Sequence, residues 1–224
     1  MANPYTVTRG TTAASSYSVS PYTVYNDSYG YGIFPNAGGL HSVMTQVTLP
    51  NNKAYTFSYD PTYGVINKIT YPTGGYVSYS WGINPHSDFA SFEDLGGGAN
   101  GCQYQYGTVA VMHRYVSFGG VHIALQQDFS YSTNWGSDPT AWSSKTTTVT
   151  THDLVTGKTY TTVYTYSPIT EPKQPNVDTS VAMQIPVESS VVTNDSGGSA
   201  LRTVHKWWED QYELSIDETT LENG

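Results

Sequence analysis

Charge is what this sequence has least of: Asp, Glu, Lys and Arg make up 12% of its 224 residues, and only 9 are basic. With a formal charge of −9, the chain lacks the Lys and Arg density that displaces counterions from a phosphate backbone, which argues against nucleic acid as a partner. Cysteine is nearly absent. Cys102 stands alone, so no internal disulfide can form and stability must come from packing. No basic neighbour is evident to activate its thiol, and it reads as inert. No run of about 18 apolar residues occurs, which argues against membrane insertion. The first residues also lack the basic start and apolar segment of an export signal.

What is abundant points to strands. Aromatic residues reach 14%, with 20 Tyr and 21 Gly, a balance suited to pleated sheets joined by tight turns and poor for helices. The fold expected is all-β, an antiparallel meander of strand–turn–strand repeats forming part of an extended or curling sheet. Acid is crowded near the end, at Glu209, Asp210, Glu213, Asp217, Glu218 and Glu222, with Lys206 the nearby base. A solvated edge accounts for this crowding more simply than a cation site.

The clearest order lies in residues 47–82. Val47-Thr48-Leu49-Pro50-Asn51-Asn52-Lys53-Ala54-Tyr55-Thr56-Phe57-Ser58-Tyr59-Asp60 is followed, 22 residues on, by Ile69-Thr70-Tyr71-Pro72-Thr73-Gly74-Gly75-Tyr76-Val77-Ser78-Tyr79-Ser80-Trp81-Gly82. Leu49 maps to Tyr71, Pro50 to Pro72, Phe57 to Tyr79 and Tyr59 to Trp81. The large residues fall on odd positions and the small or hydroxylated ones on even positions, so within each strand one face is packed and the other wetted. Each turn opens with proline and continues with residues that tolerate positive φ.

Around this core of two repeats the chain divides by composition. Residues 1–46 read as loop-rich, with one short strand near Tyr22–Tyr25. Residues 83–107 contain Asn84-Pro85-His86 and Gly96-Gly97-Gly98-Ala99-Asn100-Gly101 and read as a Gly-rich excursion from the sheet. Residues 108–167 carry hairpins: Thr108–Val116 turning at Gly119-Gly120 into Val121–Leu125, then Thr146–His152 turning at Thr156-Gly157 into Tyr160–Tyr166. Pro168, Pro172, Pro175 and Pro186 cannot donate to a ladder, so residues 168–186 read as a crossing segment. Residues 187–224 hold a last hairpin turning at Asn194–Gly198, and Asn223-Gly224 is a turn signal with nothing after it, which predicts a continuation.

The segments Phe57-Ser58-Tyr59-Asp60, Gly64-Val65-Ile66-Asn67-Lys68-Ile69-Thr70-Tyr71-Pro72 and Gly74-Gly75-Tyr76-Val77-Ser78-Tyr79 resemble the YD-repeat, or RHS, proteins of bacteria. Their repeats run roughly G-x-L-x-x-I-x-x-P-x-G-x-x-x-x-Y-x-Y-D. The likeness is strong over residues 47–82 and looser over 146–166 and 187–208. Here Trp81-Gly82 stands for the second Tyr-Asp, Val65 for the usual Leu, and Asn52-Lys53 for glycine in the first turn. The resemblance implies long sheets that curl into shells, in secreted or cell-surface proteins whose wall encloses a C-terminal effector. It implies partners in the rest of the repeat array and in neighbouring β-edges, with no catalysis by the repeat itself.

Three kinds of chemistry compete with that expectation. The histidines His41, His86, His113, His122, His152 and His205 show no helical or finger spacing, though His113 and His122 flank one hairpin. Glycoside hydrolysis needs two carboxylates across a bond, for which Glu93-Asp94 and Asp60 are candidates by position only. No nucleophile elbow, H-E-x-x-H or P-loop occurs, so no enzyme, metal site or cofactor is expected. Aromatic pairs such as Tyr164/Tyr166 fit cross-strand ladders. Trp135, Trp142, Trp207 and Trp208 lie outside the repeat and are the candidates for a sugar platform, giving an alternative reading as a carbohydrate-binding module for surface glycans.

Overall fold

A computed structural model describes residues 4–25, 38–93, 101–170, 184–210 and 212–222. Every regular element among them is a strand: β1 (Thr6–Ala14), β2 (Tyr22–Tyr25), β3 (Gly39–Thr48), β4 (Ala54–Tyr59), β5 (Ile66–Thr70), β6 (Tyr76–Glu93) and β7 (Gly101–Ser117), followed by β8 (Leu125–Trp135), β9 (Trp142–Asp153), β10 (Lys158–Thr170), β11 (Gln184–Asn194), β12 (Ala200–Trp208) and β13 (Leu214–Leu221). All belong to one sheet, in the order β1-β3-β4-β5-β6-β7-β8-β9-β10-β11-β12-β13, with β2 off this path against β7. Every pairing is antiparallel, and the sheet does not close. The all-β meander expected from composition is the observed fold.

The 22-residue repeat is visible in hydrogen bonds. Leu49 N donates to Lys53 O at 2.7 Å and Asn52 N to Leu49 O at 3.0 Å; one repeat later Tyr71 N donates to Gly75 O at 2.8 Å and Gly74 N to Tyr71 O at 2.9 Å. A further copy joins β11 to β12, where Asp195 N donates to Ser199 O and Gly198 N to Asp195 O. The fourth residue of each turn is left-handed: Asn52 at φ 62°, Gly74 at 92° and Gly198 at 87°. This is the three-residue hairpin loop that ends in a bulge, and it explains why Asn can stand where the repeat elsewhere has glycine. The Asp of Tyr59-Asp60 has a different task. Its Oδ1 accepts from Thr62 N and Tyr63 N at 2.8 and 2.9 Å, and Asp153 Oδ1 repeats this at Val155 N and Thr156 N. Asp60 is therefore a turn-capping residue.

Odd positions share a face, as the repeat predicts: Val47 lies opposite Tyr55, Phe57 opposite Ile69, and Ile69 opposite Val77. Bulges interrupt the alternation in a regular way. At β3/β4, β5/β6, β7/β8 and β11/β12 only a short ladder next to the turn is paired. Beyond it, β3, β5, β7 and β11 bulge at Thr45, Asn67, Met112 and Ser189 against the strand on their other side. The carbonyl just before each bulged residue is met by an aromatic tip from the next strand. Tyr59 Oη donates to Met44 O at 2.6 Å, Trp81 Nε1 to Ile66 O at 3.0 Å, Tyr131 Oη to Val111 O at 2.6 Å, and Trp208 Nε1 to Glu188 O at 2.7 Å. The first two bonds are one repeat apart at both ends.

Several segments differ from expectation. Residues 6–14 and 39–48 are strands, because Thr and Ser runs with weak face contrast still pair when a partner's register fixes them. Residues 83–93 and 101–107 do not leave the sheet; they lengthen β6 and β7 into one hairpin. A bulge at Asn84/Asp88 lets the chain accommodate Pro85, with His86 at φ 48°. Gly107 opposite it has no room for a side chain, since a Cβ would sit 2.4 Å from Ile83 Cγ2. The two ends of the segment expected to cross, residues 168–186, do not leave the sheet: Pro168 lies opposite Pro186 and β10 pairs antiparallel with β11, with Pro172 and Pro175 outside the described residues. Val121 and His122 lie in an exposed loop before β8, not in a strand.

The chain exposes 13767 Å², against about 10,000 Å² for a compact protein of its mass. Among the described residues its buried apolar side chains are correspondingly few: Val77, Tyr104, Trp142, Val149, Val187 and Val204. With so little core, single hydrogen bonds matter. Tyr131→Phe leaves the half-buried Val111 carbonyl unpaired and should cost about 1–3 kcal/mol in urea unfolding. Tyr59→Phe should cost less, because water reaches the more exposed Met44 carbonyl. Equal losses would show that burial of the carbonyl is not the determinant. Gly74→Ala should cost about 1–2 kcal/mol and Gly74→Asn less, since the position is sterically open and only its φ is unfavourable.

Candidate functional site

Three places gather polar or aromatic side chains outside the repeat. The first is on one face of β7 to β10, shared by His113, Asp128, His152 and Thr159. His113 lies opposite Asp128 and His152 opposite Gln126 in the ladders. One carboxylate therefore collects both imidazoles: His113 Nδ1 is 2.6 Å from Asp128 Oδ1 and His152 Nε2 is 3.1 Å from Asp128 Oδ2, while Gln126 Nε2 donates at 2.9 Å. Thr159 Oγ1 sits 3.2 Å from His152 Nδ1, and the His113 ring stacks on Tyr115. Burial pushes the Asp128 carboxyl up, but the bonds from Gln126, His113 and His152 outweigh it and hold it below 3.8.

The Thr159, His152, Asp128 chain has the connectivity of a hydroxyl, imidazole and carboxylate relay. It lies along paired strands, where register alone brings Thr159 to His152. The backbone around it is engaged in the ladders of β8, β9 and β10. The cluster ties strands together, and His113 shares Asp128 with His152 where the sequence suggested His122 as its neighbour. Among the described residues no group of three or more His, Cys, Asp and Glu side chains is placed to hold a metal ion.

The second place is where the lengthened β6/β7 hairpin leans on β8 and β9. Trp135 Nε1 donates to His86 O at 2.9 Å, Gln105 Nε2 to Pro139 O at 2.8 Å, and Lys145 Nζ approaches Asp88 Oδ1 at 3.8 Å. A cleft of about 160 Å³ here is lined by Asn84, Tyr131, Lys145, Thr147 and Tyr166 among others. Burial draws the Lys145 ammonium below the usual lysine range, with Asp88 opposing, and burial raises the Tyr131 and Tyr166 phenols. The Lys145 ammonium rests over the Trp142 ring at 4.8 Å.

The third is a groove of about 420 Å³ where β12 parts from β11. Ser167, Val187, Ser189, Ser190, His205 and Trp207 line it. Lys206 and Glu188 close their own ion pair at 2.6 Å at its edge. The four tryptophans thus separate by role. Trp142 is 3% exposed and its backbone is bonded to Gln184 in both directions, Trp135 and Trp208 spend their N–H on carbonyls, and Trp207, 46% exposed, is the one that offers a ring face to solvent. Asp94 and the side chains of Glu93 and Cys102 lie outside the described residues. Sequence reasoning passed over Asp128, Lys145 and Asp88 and found no partner for His152, because each acquires its partner across strands, which linear spacing does not encode.

These features define a class of protein: an open antiparallel β-meander built in part from a 22-residue unit. No family model matches the chain, and no curated protein matches it.

Asp128, Asp138 and Asp153 all titrate below the usual 3.8. A carboxyl whose folded value is depressed stabilises the fold above its unfolded value, and that contribution is lost as pH falls through the folded one. Stability should therefore decline as pH falls below about 4, and Asp128→Asn should flatten this slope. Urea midpoints measured across that range would show it; an unchanged slope would remove Asp128 as a contributor.

Proposed function

We propose that the chain is a non-catalytic wall segment of an RHS-like, YD-repeat protein, a surface or shell scaffold acting outside a bacterial cell. The observation that carries this reading is the recurrence of one construction at a 22-residue interval, with turn, bulge and aromatic tip all repeated, from Met44/Tyr59 to Ile66/Trp81. A unit that rebuilds itself beside its neighbour lengthens a sheet without limit. Its partners are then the rest of the array and an enclosed effector, and the acidic surface keeps the wall soluble. No catalytic residue is assigned.

Removing one unit tests this. Deletion of residues 50–71 joins Leu49 to the Pro72–Gly75 turn, so β3 meets β6 directly and Trp81 reaches the Met44 carbonyl. The shortened chain should unfold cooperatively, with a urea m-value lowered in proportion to the strands lost. A chain with no cooperative transition would mean that the unit is not modular.

Trp207 favours a second reading, a carbohydrate-binding module, because its exposed ring borders a groove lined with serine hydroxyls. On that reading neutral polysaccharides perturb Trp fluorescence and Trp207→Ala abolishes the change. Silence across a broad glycan panel would dispose of it.

A further inference from the structure

The two ends of the strand order are complementary to each other. Among the described residues β1 and β13 each pair on one side only, with β3 and β12 respectively. They are of similar length, 9 and 8 residues. The sheet alternates strictly in direction, so β1 and β13 run opposite ways, and placing β1 of one copy beside β13 of another continues the antiparallel order.

Charge sets the same pairing. In residues 4–25 the only charged side chain is Arg9, exposed and without an ion pair among the described residues. Residues 212–222 carry Glu213, Asp217, Glu218 and Glu222 and no base, all exposed. An antiparallel pair of β13 edges centred on its acids would oppose Asp217 to Asp217 or Glu218 to Glu218, and a pair of β1 edges centred on Arg9 would leave Arg9 against Arg9, so these symmetric dimers are disfavoured. Exposed apolar side chains wait at both edges: Val7 on β1 with Tyr5 just before it, and Ile216 and Leu221 on β13.

We infer that β13 accepts β1 of a second copy of this chain, antiparallel, with Arg9 of that copy opposite Asp217. In this register Val7 faces Thr219 and Tyr5 faces Leu221. Arg9 shares a face with Val7, and Asp217 shares one with Thr219 and Leu221, so the charged pair and the apolar contact lie on one side. The contact is heterologous: each copy keeps one free β1 and one free β13, and the assembly grows as a lengthening sheet. The inference rests on the wall reading for its lateral continuation and adds the partner, the strand pair and the register.

Sedimentation velocity over a concentration series tests it. The unaltered chain should show a mass that rises with concentration without stopping at a dimer. Arg9→Glu and Asp217→Arg should each weaken association by about tenfold, because each sets like charges opposite one another. An equal mixture of the two variants should recover it, since each then offers the charge the other lacks, and recovery also shows that both fold. A chain that stays monomeric, single variants that associate as well as the original, or a mixture that stays dissociated would overturn the inference. None of these results bears on the 22-residue deletion, which tests the wall reading separately.

Discussion

One interaction recurs through this sheet and makes its geometry possible: the hydrogen bond from an aromatic tip to the carbonyl that a β-bulge sets free. A bulge bends and twists its strand and takes a backbone group out of the ladder. A half-buried carbonyl left unpaired would cost stability comparable to a lost hydrogen bond. Tyr59, Trp81, Tyr131 and Trp208 each reach back from the next strand to such a carbonyl. The strands can then part beyond a short ladder without breaking the sheet. The side chain must be long, flat and apolar with one donor at its end, which only Tyr and Trp satisfy. Trp81 in the place of the repeat's Tyr is a functional equivalent in this sense.

A sheet held in this manner needs little core. Among the described residues few apolar side chains are fully buried, and no second sheet covers either face. Cross-strand neighbours supply the rest. Valines and aromatics of the repeat meet on one face, the Asp128 cluster ties β7, β8 and β9, and Lys145 ties β9 to Asp88 of β6. The tightest departure from regularity, at Pro85 to Ser87 opposite Gly107, is where the long β6/β7 hairpin turns to lean on β8 and β9. That contact buries Tyr104, Gln105 and Trp142 and is the nearest the molecule comes to a layered core.

The concentrations of polar groups serve strand pairing. Asp60 and Asp153 cap turns, Asp128 gathers two imidazoles, and Glu188 holds Lys206. The surfaces left over are the groove beside Trp207 and the two outer strands, whose opposite charges make them a matched pair. Wall and module readings thus depend on different parts of the molecule.

Composition, period and turn residues determined the class of fold, the 22-residue unit and the places of its turns, because these are local: a left-handed residue after a proline-led turn and alternation along a strand are written in neighbours. The Ser- and Thr-rich strands β1 and β3, and the outer half of β6, were not legible, since a strand without face contrast is defined only by the register of its partner. Pro168 and Pro186 read as a crossing because each lacks an N–H. Only the pairing of β10 with β11 shows that they face one another. The tryptophans were legible as unusual but not as distinct. Burial of Trp142 and exposure of Trp207 were decided by the tertiary structure, because a side chain's solvent is set by what lies across the sheet from it and not by what precedes it in the chain.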